Sequence, residues 1–165
     1  MDCCALLAAI EKHCGTNAGY VKPSLKVICG DDVETIPAAT AGVVTTALTL
    51  ADTKTFFEWA VAQKGTLVVE SSISDDGSTV EYTSTITVFV PKATGAKSDL
   101  LSNAAGDGKF VIVTDKNGVN WMLGEAENGC TVKPGMVANE KNGYPITITW
   151  TSNRLPYAYT GPIVL

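Results

Sequence analysis

The sequence predicts a mainly β protein, an antiparallel β-sandwich or barrel-like sheet with an N-terminal helix and one short flanking helix. Runs of alternating apolar and polar residues recur along most of the chain. In residues 144–151, Ile146, Ile148 and Trp150 alternate with threonines, as is typical of a half-buried antiparallel strand. Short turn sequences separate the runs. One of them contains Asn117-Gly118, and Asn-Gly is among the strongest short hairpin signals.

An N-terminal helix is predicted for residues 1–15, because apolar residues recur there at helical spacings and a glycine follows as a C-cap. Beyond it, the pattern predicts a β-rich body over residues 20–165. The residues that indicate the helix are Leu6, Leu7, Ile10, Cys14 and Gly15.

Six further runs are rich in β-branched residues and predict strands. Residues 53–63 fit both a helix and a strand, and we predict a strand. Asp75-Asp76-Gly77-Ser78 predicts a hairpin turn, and residues 115–118 predict a second one. The predicted strands are residues 20–28, 43–50, 66–73, 79–90, 109–123 with an interruption in its middle, and 144–151.

The flanking helix is predicted near residues 98–105. Ser98 is expected to cap its N-terminus and Gly106 to end it. The tail after Pro156 reads as extended, and its last three residues, 163–165, are apolar and must pack on something. No linker, repeat or low-complexity stretch divides the chain, so residues 1–165 are predicted to form one domain.

Composition argues against nucleic-acid binding and against a membrane span. The net charge is -5, and Arg154 is the only arginine among 12 basic residues, whereas phosphate neutralisation and base recognition need clustered basic residues. The apolar stretch at residues 38–50 is broken by threonines and is shorter than a bilayer requires. Charged residues make up 18% of the chain, below the roughly 25% typical of soluble proteins, and such a surface is consistent with contacts to neighbouring chains.

Cysteine and histidine chemistry is the first catalytic alternative. No stretch resembles a signal peptide, so the five cysteines are expected to be reduced thiols. His13 and Cys14 are adjacent and point apart on a helix, so they make a poor catalytic dyad, although Cys3, Cys4 or Cys29 remain possible partners. The same residues lack the Cys-x-x-Cys spacing of a structural zinc site. Small buried thiols are the favoured interpretation, and no cofactor or metal site is predicted.

Acidic pairs are the second alternative. Asp31-Asp32 with Glu34, Asp75-Asp76, and Glu125 with Glu127 all fall in predicted turns, where local hydrogen bonding and solubility explain them. The spacing of a calcium loop is absent, and Gly106-Asp107-Gly108 is too short to cradle a phosphate. We therefore predict no catalytic residues and no enzymatic activity.

The order of elements, with several short motifs, resembles a known group of proteins. A cysteine-containing helix is followed by an entry strand, an Asp-Asp turn, a hairpin, a capped helix and a second Asn-Gly hairpin. The motifs are Cys14-Gly15-Thr16-Asn17-Ala18-Gly19, Val21-Lys22, Asp31-Asp32-Val33, Val111-Ile112-Val113-Thr114-Asp115-Lys116-Asn117-Gly118, Leu123-Gly124-Glu125 and Lys141-Asn142-Gly143-Tyr144 with its threonine-rich strand. Together they resemble the tail tube and related virion structural proteins of phages that infect Bacteroidetes.

This resemblance implies a non-enzymatic virion protein whose copies assemble into rings, usually hexameric, that stack into a conduit for the genome. Its partners would be copies of itself and other tail or neck proteins. DNA would pass without specific binding, and no membrane would be involved. The protein would be made in the host cytoplasm and reside in the virion tail. Such proteins commonly extend a long loop to the next ring, for which residues 30–41 or 128–141 are the candidates.

Two alternatives remain open at this point. The chain could serve elsewhere in the virion, as a head–tail joining or capsid decoration protein. It could instead be a small carbohydrate- or host-binding β-sandwich, which predicts an exposed aromatic patch. The candidate aromatics are Trp121, Trp150, Tyr157 and Tyr159. Assembly itself predicts free sheet edges that sister chains would cover, and a negative wall would let a polyanion slide.

Overall fold

A computed structural model describes residues 24–62, 64–115 and 117–165. The chain is mainly β with one α-helix in this part, which confirms the predicted fold class. The helix predicted for residues 1–15 lies outside the described residues. The strands are β1 (Ser24–Cys29), β2 (Val33–Thr35), β3 (Val43–Val44), β4 (Thr49–Leu50), β5 (Phe57–Ala60), β6 (Thr66–Ile73), β7 (Val80–Pro91), β8 (Gly106–Thr114), β9 (Asn120–Leu123), β10 (Cys130–Pro134), β11 (Gly143–Ser152) and β12 (Tyr157–Tyr159); a 3₁₀ turn spans Gly30–Asp32, and α1 spans Gly95–Ala104.

Strand β8 is the branch point of the main sheet. It pairs with β1 along one edge, and with β9 and then β10 along the other. One arm of the sheet therefore runs β5-β1-β8-β9-β12-β3, and the other runs β8-β10-β11-β7-β6. These pairings are antiparallel except that of β12 with β3. A separate two-stranded sheet joins β2 to β4.

Glycines allow β8 to pass from one arm to the other. Gly106 and Gly108 have φ values of +105° and +80°, which residues with a Cβ rarely adopt. Gly129, at the start of β10, approaches so closely that a Cβ there would lie 2.6 Å from the Gly108 Cα. The Gly106-Asp107-Gly108 sequence therefore serves the bend in β8.

The apolar run Phe110 to Val113 is buried on both faces of the sheet. Val111 and Val113 face the larger core, which lies between the two arms and includes Ile86 and Trp150. Phe110 and Ile112 face a second core on the opposite side. A continuous apolar run is typical of a strand covered on both sides. The second core is completed by Ile28, Val33, Val44, Phe56, Met122 and Tyr159.

Two sequence-predicted elements have different boundaries in the structure. The strand predicted for residues 43–50 is wrong as a single element, because β3 and β4 belong to different sheets. The buried Tyr159 hydroxyl accepts a hydrogen bond from the Leu48 amide (3.2 Å) and donates one to the Pro162 carbonyl (2.7 Å). Residues 45–48 are thus held as a loop. The strand predicted within residues 53–63 is confirmed for Phe57–Ala60.

Helix α1 begins four residues earlier than predicted. Thr94, rather than Ser98, is the N-cap, and its side chain accepts a hydrogen bond from the Lys97 amide. Ser98 lies one turn inside the helix, where its Oγ is 2.6 Å from the Tyr144 hydroxyl. That hydroxyl also donates to the Thr94 carbonyl (2.8 Å) and accepts from the Thr94 amide (3.2 Å). The helix has ten residues, and the described part of the chain contains no helix able to span a membrane.

Tyr144→Phe tests how strongly this network holds α1 on the sheet. Loss of the hydroxyl leaves the Thr94 amide without its partner, so we expect the free energy of unfolding to fall by about 1–3 kcal/mol. Urea denaturation followed by circular dichroism measures the change. Tyr82→Phe is the control, because the Tyr82 hydroxyl takes no part in the network. Equal stability of the two variants would contradict the assignment.

Candidate assembly surface

The free edge of β6 is the largest unpaired feature of the main sheet in the described residues. β6 is eight residues long and pairs only with β7 there. The Ser74 amide, just after β6, donates to the carbonyl of Thr79, just before β7 (2.9 Å). Because N–H directions alternate along a strand, the amides of Ser71 and Val69 point away from β7. Such a row of open donors and acceptors is a template for a further strand.

The hairpin formed by β6 and β7 projects beyond the body of the sandwich. β11 stops pairing with β7 at Tyr82, and residues 71–81 are all exposed. Near the turn, Ile73 lies directly opposite Val80, and these side chains are 63% and 37% exposed. The hairpin thus presents an apolar pair to solvent.

The turn at the hairpin tip is internally ordered by Asp76. Its Oδ1 accepts hydrogen bonds from the hydroxyl of Ser74 (2.5 Å), and from the amide (3.0 Å) and hydroxyl (2.7 Å) of Ser78. The Ser74 hydroxyl bond, followed by those from Ser78, lowers the pKa of Asp76 to about 2. The tip is therefore a defined, anionic structure at neutral pH.

A groove of about 690 Å³ opens at the other end of β6. Its apolar lining is continuous with the larger core, and Trp121 and Leu155 also line it. The Asp115 carboxylate lies at its polar end and accepts a hydrogen bond from Trp121 Nε1 (2.9 Å), which lowers the pKa of Asp115. The volume falls within the range of about 300–1,000 Å³ usual for ligand pockets. The apolar lining residues are Leu67, Val68, Val69, Ile86, Val88, Val113 and Pro156.

The outer face of β10, β11, β7 and β6 is covered by threonines in register. Thr87 lies between Thr66 and Thr147, and Thr85 lies opposite Thr149. Further along, the hydroxyls of Thr83 and Thr151 are 3.4 Å apart. Neighbouring strands are about 4.7–4.9 Å apart, so the hydroxyls and methyls form a regular array. We call this surface the threonine face; its members are Thr66, Thr83, Thr85, Thr87, Thr131, Thr147, Thr149 and Thr151.

The C-terminal tail is only partly covered by its own chain. The Val164 carbonyl accepts a hydrogen bond from the Phe56 amide (2.9 Å), and Ile163 packs against the second core. The side chains of Val164 and Leu165 are 55% and 60% exposed. The apolar terminus predicted to need a partner thus remains open at its last two residues.

The two segments nominated as projecting loops are partly regular structure. Residues 30–41 include the 3₁₀ turn and β2, and residues 128–141 include β10 within the main sheet. Sequence reasoning missed the projection of the β6–β7 hairpin. The sequence feature that indicates this projection is the loss of alternation at Ser71-Ser72, where polar residues occupy both faces of the strand.

The acidic residues singled out in the sequence are either used structurally or exposed. Glu125 pairs with Arg154 (2.9 Å), and Asp32 lies 3.4 Å from Lys54. Asp31 and Glu127 line a polar pocket of about 570 Å³. Within the described ranges, no three His, Cys, Asp or Glu side chains are grouped so that they could hold a metal ion.

The four aromatic residues considered for glycan binding do not form an exposed patch. Trp150 and Tyr159 are each 1% exposed, and Trp150 Nε1 donates to the Asn128 carbonyl (2.9 Å). Tyr157 lies under the Arg154 guanidinium, 3.9 Å from its ring centroid. The half-buried Trp121 is bonded to Asp115 at the groove. These aromatics act mainly in packing.

The cysteines differ from the expectation of five reduced thiols. Cys29 is disulfide-bonded, so that expectation is wrong for it. Cys130 is free and buried, and its burial raises the pKa of the thiol, which disfavours the thiolate. Cys3, Cys4, His13 and Cys14 lie outside the described residues.

Comparison of the chain with protein-family models, with curated proteins and with solved structures yields no match in any of the three.

The order of the hairpin tip depends on the charge of Asp76, which gives a test by pH. A folded-state pKa of about 2, below the ordinary 3.8, means that the carboxylate stabilises the turn above pH 3.8 and loses this effect as pH falls through 2. Carboxyl ¹³C shifts followed by NMR should place the midpoint for Asp76 near 2. In a Ser74→Ala, Ser78→Ala variant, the midpoint should rise towards 3.8. An unchanged midpoint would contradict the role of these hydroxyls.

Proposed function

We propose that this chain is a non-enzymatic structural subunit of a phage tail tube or neck conduit, which assembles with copies of itself into rings, with six subunits as the expected number. The proposal places the protein in the virion tail after synthesis in the host cytoplasm. The observation that carries it is the eight-residue free edge of β6, which lies beside an apolar groove and ends in an exposed apolar hairpin.

An exposed edge of this length favours self-assembly. Proteins that remain monomeric usually shield such edges with charge, proline, bulges or a covering element, because open edges aggregate. In β6, the only ionisable side chain is Glu70, and the exposed Val68 stands two residues before it. Continuation of the sheet from subunit to subunit around a ring would cover this edge.

The threonine face is the surface that we assign to the conduit wall. Its strands carry Glu70, Glu81 and Lys133 on the same side as the threonines, so few charges interrupt it. Threonine hydroxyls hold water without presenting cations to phosphates, and DNA affinity depends chiefly on cationic neutralisation of phosphates. A wall of this kind would let a polyanion pass without binding it.

Ser71→Pro tests the role of the β6 edge. Proline removes an amide that points away from β7 and blocks the approach of a further strand, whereas the ladder with β7 keeps its hydrogen bonds. We expect the variant to fold and to form far fewer oligomers than the wild type. Analytical ultracentrifugation and negative-stain electron microscopy over a range of concentrations measure this.

Ser71→Ala is the matched control and should assemble like the wild type, because it keeps the amide. Rings formed equally well by the proline variant would refute the role of the edge. A wild-type protein that stayed monomeric at high concentration, without rings or filaments, would overturn the proposed function itself.

Thr85→Lys combined with Thr149→Lys tests the threonine face as the conduit wall. Two cations per subunit on the wall should make assembled protein retain DNA at low salt and release it as salt rises. Filter binding or electrophoretic mobility of a DNA fragment with assembled protein measures retention. The control is a pair of lysines on exposed positions of α1, Ala96→Lys with Ser102→Lys. Similar retention by both variants would argue against a wall on this face.

A further inference from the structure

The projecting hairpin and the apolar groove lie at opposite ends of one strand. Thr66 and Leu67, at the beginning of β6, line the groove, whereas Ile73, at its end, belongs to the hairpin tip. Seven residue steps of about 3.4 Å separate Thr66 from Ile73, or roughly 24 Å. Because the tip and the groove lie this far apart, the tip can reach only the groove of another molecule. A contact between them would repeat along the direction of the strand.

The groove offers an apolar surface that the described residues leave open. Val113 and Ile86 belong to the larger core and are buried, yet they form part of the floor of the groove. At the rim, Leu155 is 54% exposed and Val68 is 50% exposed. An occupant with branched apolar side chains would remove these two rim side chains from water, at about 25 cal/mol per Å² of apolar surface buried.

The hairpin tip offers a matching apolar group on a rigid support. Ile73 and Val80 stand side by side as a cross-strand pair. The turn beyond them is fixed by the hydrogen bonds to Asp76. A preordered tip loses little conformational entropy when it docks, which favours binding.

Charge on one side of the groove also favours an acidic tip. The tip carries Asp75 and the anionic Asp76, whereas the exposed Lys64 precedes Gly65 at the edge of the groove. The Asp115 carboxylate at the polar end of the groove is already bonded to the amides of Asn117 and Val119 as well as to Trp121. Those bonds leave Asp115 negatively charged, so an incoming acidic tip is favoured on the Lys64 side, where the exposed ammonium makes no ion pair with another described residue.

We propose that the β6–β7 hairpin tip of one copy inserts Ile73 and Val80 into the groove of a second copy. The contact is heterologous, because different surfaces of the two copies meet, and such contacts propagate into open stacks. It rests on the proposed self-assembly and adds the longitudinal interface to it: the β6 edge joins neighbours within a ring, and the hairpin joins one ring to the next.

Two variants break opposite halves of this contact. Ile73→Asp with Val80→Thr spoils the tip but leaves the groove intact, whereas Leu155→Glu places a charge at the groove and leaves the tip intact. The altered side chains are exposed or half exposed, so both variants should keep the wild-type circular dichroism spectrum. Met136→Asp is the control, because Met136 is a comparably exposed apolar residue, at 60%, that does not line the groove.

Mixing the two variants gives the decisive readout. Each variant alone should form rings that do not stack. An equimolar mixture of the two kinds of ring should form pairs, because the intact tip of the Leu155→Glu ring can enter the intact groove of the other ring, whereas the remaining tip and groove are both altered. The wild type and Met136→Asp should form long stacks. Electron microscopy counts the rings in each stack, and sedimentation gives the corresponding masses.

Stacks of wild-type length in either single-site variant, or no pairs in the mixture, would overturn the hairpin–groove contact while leaving ring formation and the proposed function intact. A wild type that forms no rings at all would instead overturn the proposed function, and the longitudinal contact with it.

Discussion

The fold depends on one strand, β8, that pairs with both arms of the main sheet. β8 pairs at Lys109 with Cys29 of β1 on one side and with Cys130 of β10 on the other, and all three residues are buried. The Lys109 ammonium is kept inside the protein by donating to the Asp107 carbonyl (3.0 Å), since an unbonded buried charge would be strongly destabilising. The bend at Gly106 and Gly108 allows β8 to pair with strands of both arms. Every other strand of the main sheet takes its place relative to β8.

The open features of the molecule follow from this arrangement. Both arms contain β8, so they are joined along that strand. The arm that runs through β10, β11 and β7 therefore ends away from β8. It ends on β6, which has one edge that no other described strand pairs with, a groove at its start and a hairpin that extends beyond its neighbours. Edge, groove and hairpin thus all lie on β6, the strand at which this arm ends, and the proposed assembly would use all three.

Sequence reasoning succeeded where local chemistry decides structure. The bounds of β6 were predicted as observed, because the run begins after a lysine–glycine pair and an Asp-Gly turn follows it. It failed where distant residues decide. The Leu48 amide is bonded to Tyr159, and Thr94, the N-cap of α1, is bonded to Tyr144, each partner lying dozens of positions away. The groove could not be predicted, because its walls come from β6, the β8–β9 turn and the Leu155-Pro156 segment. The free edge was expected, but the strand that bears it was not identified.

The distribution of charge differs from the acidic wall that the net charge suggested. The broad threonine face carries few ionisable groups, whereas Asp75 and Asp76 sit on the hairpin tip and Glu125 and Glu127 sit by the polar pocket. Charges grouped at projecting ends act over about a Debye length, near 8 Å at physiological salt, so they influence how two copies approach more than what lies against the sheet. In a stacked assembly of the proposed kind, the weakly charged face would remain inert towards a passing polyanion, whereas the acidic hairpin tip would influence how one copy approaches the groove of the next.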